Sequence, residues 1–123
     1  MTATGLDPVR TPAPARSLIV SVDLGTRRVD ATVCGTVDVR DVGALRGDLL
    51  RLVTPGLAEL HLDLSAAAFA DYTGPAALVH LLHRCRQHGV ALHLIAPRGS
   101  SAHRALTESG LRAALRIDEG ATT

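Results

Sequence analysis

Four short segments of this chain alternate apolar and polar residues with a period of two, and that rhythm restricts the fold more than any other feature. Successive side chains of a strand point to opposite faces, so strict alternation marks a strand with one dry and one wet side. In SLIVSVDL the apolar set is Leu18, Val20, Val22 and Leu24, against Ser17, Ser21 and Asp23, with Ile19 out of step. In VDATVCGTVD, Val29, Ala31, Val33 and Val37 oppose Asp30, Thr32, Thr36 and Asp38. LHLDL sets Leu60, Leu62 and Leu64 against His61 and Asp63, and VALHLIA sets Val90, Leu92 and Leu94 against Ala91, His93 and Ile95. A sheet with helices on both faces would read as unbroken apolar runs. The alternation therefore predicts a sheet covered mainly on one face.

Three helical patterns fit between and after these strands. DVGALRGDLLRLV places Val42, Leu45, Leu49 and Leu52 on one stripe, and Pro55-Gly56 ends it. GPAALVHLLHRCRQHG places Leu78, Leu81, Leu82 and Cys85 at i, i+3, i+4 and i+7. Pro75 suits its first turn, where a missing N–H costs nothing, and Gly89 suits its C-terminal cap. SSAHRALTESG offers Ser100 or Ser101 as N-cap and Gly110 as the stop. LRAALRI follows, strand or helix. The link Gly25-Thr26-Arg27-Arg28 makes the first two strands a hairpin, and the later strands, joined by helices, are expected to run parallel. The predicted class is α/β, with a mixed sheet of four to five strands. The ordered domain is expected over residues 17–117, with a flexible N-terminal tail over 1–16, rich in Pro, Ala and Thr, and a short C-terminal tail over 118–123.

Composition narrows the function. All 13 basic residues are Arg, balanced by 12 acids to a net charge of +1, which removes the electrostatic footprint of a nucleic-acid binder. One Tyr, one Phe and no Trp leave almost nothing on which bases could stack. No apolar run approaches the roughly 18–20 residues of a membrane span, and the N-terminal stretch lacks a signal-peptide core. Two cysteines, Cys34 and Cys85, make no disulfide framework. These features point to a cytoplasmic protein with free thiols, no direct nucleic-acid contact and no membrane insertion.

Candidate chemistry is sparse. The six histidines include His80 and His83 at i, i+3 on the second helix, but they share its polar face with Arg84 and Arg86, and zinc needs three or four converging ligands. We read them as solvated helix residues. His61 and His93 become neighbours on the open face if their strands pair, and are read as surface residues first and a partner-facing patch second. No metal or cofactor is expected. The chain has no nucleophile elbow, Walker A loop, H-E-x-x-H or dinucleotide fingerprint. Asp63 and Asp71 imply no nucleophile–base pair, and Cys85 falls in the buried stripe, where a thiol packs instead of reacting. No catalytic residue is assigned.

The junction Phe69-Ala70-Asp71-Tyr72-Thr73-Gly74 remains, where an acid and two hydroxyls separate two apolar runs. Asp71 or Thr73 as an N-cap explains one of them, at about 1 kcal/mol. A helix N-terminus also favours added negative charge, so a hydroxyl here is a good place for phosphate.

In order and spacing the chain resembles a STAS domain of the bacterial anti-sigma factor antagonist type. The matching pieces are Gly35-Thr36-Val37-Asp38, then Leu45 in the first helix, then Leu62-Asp63-Leu64-Ser65, then Phe69 to Gly74, and finally Leu106-Thr107-Glu108-Ser109-Gly110-Leu111. The resemblance implies a non-catalytic interaction module that binds an anti-sigma factor with a GHKL-type, kinase-like fold and so regulates sigma-dependent transcription. It places the contact on the loop from Ala66 to Thr73 and the helix start, with Phe69, Asp71, Tyr72, Thr73 and Gly74 as site residues. Relatives that are switched by phosphorylation carry the accepting serine directly after the aspartate. Tyr72 stands there, which removes the usual switch and leaves Thr73 as the candidate phosphoacceptor. The family's usual Leu after the glycine is Pro75. The same resemblance also allows a regulatory subunit of a lipid or anion transport system, or a stress-signalling scaffold. The wet sheet face or the hairpin edge could support a homodimer.

Overall fold

The computed structural model describes residues 16–110 and 117–118. Strands β1 (Arg16–Asp23) and β2 (Arg28–Val37) are followed by helix α1 (Val42–Leu52), β3 (Glu59–Phe69), α2 (Thr73–Gln87), β4 (Ala91–Ile95), α3 (Ser101–Glu108) and β5 (Ile117–Asp118). The five strands form one sheet in the order β1-β2-β3-β4-β5. β1 and β2 are an antiparallel hairpin; β2 to β5 run parallel. This is the predicted mixed sheet. The last residue of the expected N-terminal tail, Arg16, opens β1, and the first of the expected C-terminal tail, Asp118, closes β5. The rest of both tails, and most of LRAALRI, lie outside the described residues.

The dry face is built as the alternation requires. Val29, Ala31, Val33 and Val37 of β2, Leu60, Leu62 and Leu64 of β3 and Leu94 of β4 are buried together with Leu45 and Leu49 of α1, Leu78, Leu81 and Cys85 of α2, and Ala102 and Leu106 of α3. Leu82 and Leu92 are half-buried at its margin. Each of the larger side chains contributes about 1.5–3 kcal/mol by leaving water.

Capping explains two of the helix limits. Ser100 Oγ accepts the His103 N–H at 3.1 Å to start α3. Beyond α2, Gly89 takes φ +69, where a side chain would be strained. The Gly89 and Val90 N–H groups then bond the Arg86 and Cys85 carbonyls, at 3.3 and 2.8 Å, and close the helix end.

Two expectations need correction. First, the apolar set of β1 is not covered: Val22 is 57% exposed, Val20 is also exposed, Leu24 lies in the turn beyond the strand, and only Leu18 packs partly on the core. Second, β3 does not stop near Ser65; it runs on to Phe69. An extra residue on β3 between Asp63 and Ala66 opposes the step from Thr32 to Cys34 on β2. This bulge resets the alternation, so that Ala67 is buried after Leu64. Asp63 Oδ1 holds it, accepting the Ser65 N–H at 2.8 Å and the Ser65 hydroxyl at 2.5 Å. Ala66-Ala67-Ala68 is a weak strand signal, which is why the run reads as loop in the sequence.

Candidate functional site

The Phe69–Gly74 junction lies at the C-terminal end of β3, beside the end of β2. Val37 pairs with Phe69, and one further bond, from Ala70 N–H to the Val37 carbonyl at 2.9 Å, keeps the exits of both strands together. The loop expected over Ala66 to Thr73 is therefore only Ala70–Tyr72, short and anchored at both ends.

Phe69 is half-buried and packs against the core. Its ring lies over Gly74: a Cβ added there would meet Phe69 Cδ1 at 2.5 Å. Glycine is thus required by close approach, and Phe69 and Gly74 together fix the angle at which β3 hands over to α2. The N-cap position itself falls to Tyr72, and not to the Asp71 or Thr73 that the sequence suggests, but the oxygen that satisfies a first-turn N–H comes from Asp71, one residue before it. Asp71 Oδ1 accepts the Thr73 N–H at 2.9 Å, and the Thr73 hydroxyl donates to the same oxygen. Thr73 is therefore half-buried and engaged, not the cap itself. Tyr72, between them, carries no side-chain cap bond and is 75% exposed. The five residues singled out from the sequence thus divide into a scaffold (Phe69, Asp71, Thr73, Gly74) and one displayed side chain, Tyr72.

Sequence reasoning missed the neighbouring loop. At the exit of β2, Asp38 Oδ1 accepts the Arg40 and Asp41 N–H groups at 2.9 and 3.3 Å, and Oδ2 accepts from the Arg40 guanidinium at 3.1 Å. The Arg40 bond is the largest of the influences that hold the Asp38 carboxyl below its ordinary range. Asp38 thereby shapes the start of α1 and leaves Val39 and Arg40 exposed at the same end of the sheet as Tyr72. The signal was present in the Gly35–Asp38 motif, whose aspartate caps a turn.

Against the junction lies a cleft of about 220 Å³, lined by Phe69, Ala70, Asp71, Tyr72, Ala105, Glu108 and Ser109. Two of its polar groups are already committed: Asp71 to Thr73, and the Ser109 hydroxyl to the Leu106 carbonyl at 3.0 Å. No nucleophile–base pair forms among them. Cys85 lies wholly inside the core, where burial pushes its thiol up to about 11, far from a reactive thiolate. No described helix is long and apolar enough to cross a membrane.

A family model of the STAS domain matches residues 27–120, more than half of the chain. The chain belongs to the STAS domain family. This STAS domain is similar in fold to an anti-sigma factor antagonist from Mycobacterium paratuberculosis, with a TM-score of 0.71 and 20% identity over 85% of this chain and 87% of that one. A STAS-domain antisigma-factor antagonist from Rhodobacter sphaeroides gives a TM-score of 0.60 and 16% identity over 76% and 95% of the two chains. The Bacillus cell fate determinant SpoIIAA in its phosphorylated form gives 0.59 and 14% over 83% and 91%. No curated protein matches the chain in sequence.

Proposed function

We propose that this STAS domain is a non-catalytic, cytoplasmic interaction module of the anti-sigma antagonist type, which binds an anti-sigma factor of the GHKL kinase-like class and thereby frees a sigma factor. The exposed phenol of Tyr72 carries this reading. An anchored three-residue loop that presents one aromatic side chain, with Val39 and Arg40 at the same end, suits a protein contact, in which a tyrosine buries a large area at small entropic cost. The fold shared with anti-sigma factor antagonists supports the class of partner.

The same geometry supports the loss of the serine switch. The position after Asp71 holds a phenol whose oxygen lies several ångströms beyond where a seryl oxygen would sit. Thr73 is the remaining acceptor at the helix start. A phosphate there would break the hydroxyl's bond to Asp71 and set a dianion against that carboxylate, with Glu108 in the same cleft. The helix N-terminus offsets only part of that repulsion. We take Thr73 to be a poor acceptor and the module to bind constitutively.

Titration calorimetry with the purified anti-sigma factor of the source organism tests the contact. Tyr72→Glu should weaken binding at least about tenfold, because a charge would be buried without a partner. His93→Gln, on the far part of the sheet, should leave it unchanged. Equal affinity of wild type and Tyr72→Glu would refute the assignment.

A further inference from the structure

We propose that Glu59, His61 and His93 form a binding site for a divalent transition-metal ion of the zinc class on the open face of the sheet. Sheet register assembles it. Glu59 and His61 are two residues apart on β3 and so share a face, and the parallel pairing with β4 sets His93 beside His61 and the small Ala91 beside Glu59. The two imidazoles stack with centroids 4.3 Å apart and planes 18° from parallel. Glu59 Oε1 lies 2.7 Å from His61 Nε2 and 3.9 Å from His93 Nε2. One carboxylate oxygen and two imidazole nitrogens thus fall within 4.8 Å of one another, and among the described residues this is the group in which three such side chains gather.

Those separations bracket what a tetrahedral ion requires. Zinc bonds of about 2.0–2.1 Å hold neighbouring ligand atoms roughly 3.3 Å apart. The first separation must open and the second close by roughly half an ångström, and the stacked rings must turn so that their in-plane lone pairs converge on the ion. His61, with a side chain 18% exposed, is held; His93, at 50%, is free to turn.

Charge favours the same conclusion. The described charged side chains on the open side of β1, β2 and β3 are Asp23, Arg28, Asp30, Glu59 and Asp63. The cation among them, Arg28, bonds Asp30 at 2.8 and 3.1 Å and, paired in register with Glu59, also faces that carboxylate, but the acids still outnumber it. The remaining surplus is acidic, which attracts a dication. His80 and His83 differ on both counts: they lie among arginines and gather no third ligand. Two nitrogen donors and one oxygen suit zinc, nickel or copper and not the oxygen-seeking magnesium or calcium. Three protein donors leave a fourth position for water, and the ion would tie β3 to β4 at the end of the sheet opposite Tyr72.

Zinc titration of the untagged full chain tests this. One equivalent should bind, and magnesium should not compete. Glu59→Gln and His93→Gln should each weaken binding at least about tenfold, since even residues that only support a ligand cost that much. The pair His80→Gln/His83→Gln should leave it intact. Imidazole ¹H–¹⁵N spectra of the wild-type protein give a check that needs no variant: zinc should shift both His61 and His93 and leave His80 in place. Absence of saturable binding, binding that survives Glu59→Gln and His93→Gln, or shifts confined to other histidines would each overturn the site.

Discussion

Strands β1 and β3 both present a row of branched apolar side chains toward the side on which the helices lie, yet their environments are opposite. Leu60, Leu62 and Leu64 of β3 are fully buried, whereas Val20 and Val22 of β1 remain exposed. The cause is coverage. The buried residues of α1, α2 and α3 close over β2, β3 and β4, and β1, at the sheet edge, projects beyond them. A groove of about 480 Å³, lined in part by Val22, Leu24, Leu52 and Leu57, runs beside the hairpin at that margin. Apolar alternation makes a strand two-faced; only the number and length of the covering helices decide whether a given face is dry.

Substitutions can break that comparison directly. Leu62→Ala removes a side chain with no exposure from the middle of β3 and should cost about 2–5 kcal/mol in urea unfolding, as core truncations do. The thiols sharpen it at alkaline pH. Cys85, on the covered side, has its pKa raised from 9.0 to about 11, so the folded state keeps its proton after the unfolded chain has lost it. Its contribution is complete below pH 9 and is lost as pH rises toward 11, on the order of 1–3 kcal/mol. In the native protein at pH 8, a thiol reagent should modify the half-exposed Cys34 and reach Cys85 only on unfolding. Val22→Thr, the smallest change, keeps a β-branched side chain at an exposed edge and should stay within about 0.5 kcal/mol of wild type. A loss near that of Leu62→Ala would mean that β1 is covered after all.

Much of this was legible in the sequence, and the misses have physical reasons. The period-two sets of β2, β3 and β4, the stripes of Leu45/Leu49 and Leu78/Leu81/Cys85, the Ser100 cap and the Gly89 stop all follow from local rules that operate within a few residues. The exposure of Val20 and Val22 does not, because it depends on where three helices end in space. The length of β3 was hidden by the bulge at Ser65, which breaks the alternation that would have revealed it. At the junction, Asp71 as the acceptor of a first-turn N–H could be read from chemistry alone, though the N-cap position itself belongs to Tyr72. That Thr73 is tied down while Tyr72 stands clear required the geometry, as did the meeting of Glu59 with both His61 and His93, since strand register is not written in either segment alone.

The proposal that matters most is that Tyr72 ends the serine switch while keeping the proposed contact. Intact-mass measurement with peptide mapping, after incubation with ATP and the purified anti-sigma factor proposed as the kinase-like partner, tests it most directly. Wild type should stay unmodified at Tyr72, with any trace of phosphate on Thr73. Tyr72→Ser restores an acceptor directly after Asp71 and should gain one phosphate, then lose affinity for the partner as negative charge enters the contact. Efficient kinase-dependent phosphorylation of wild-type Tyr72 would contradict the account and make the tyrosine itself the switch.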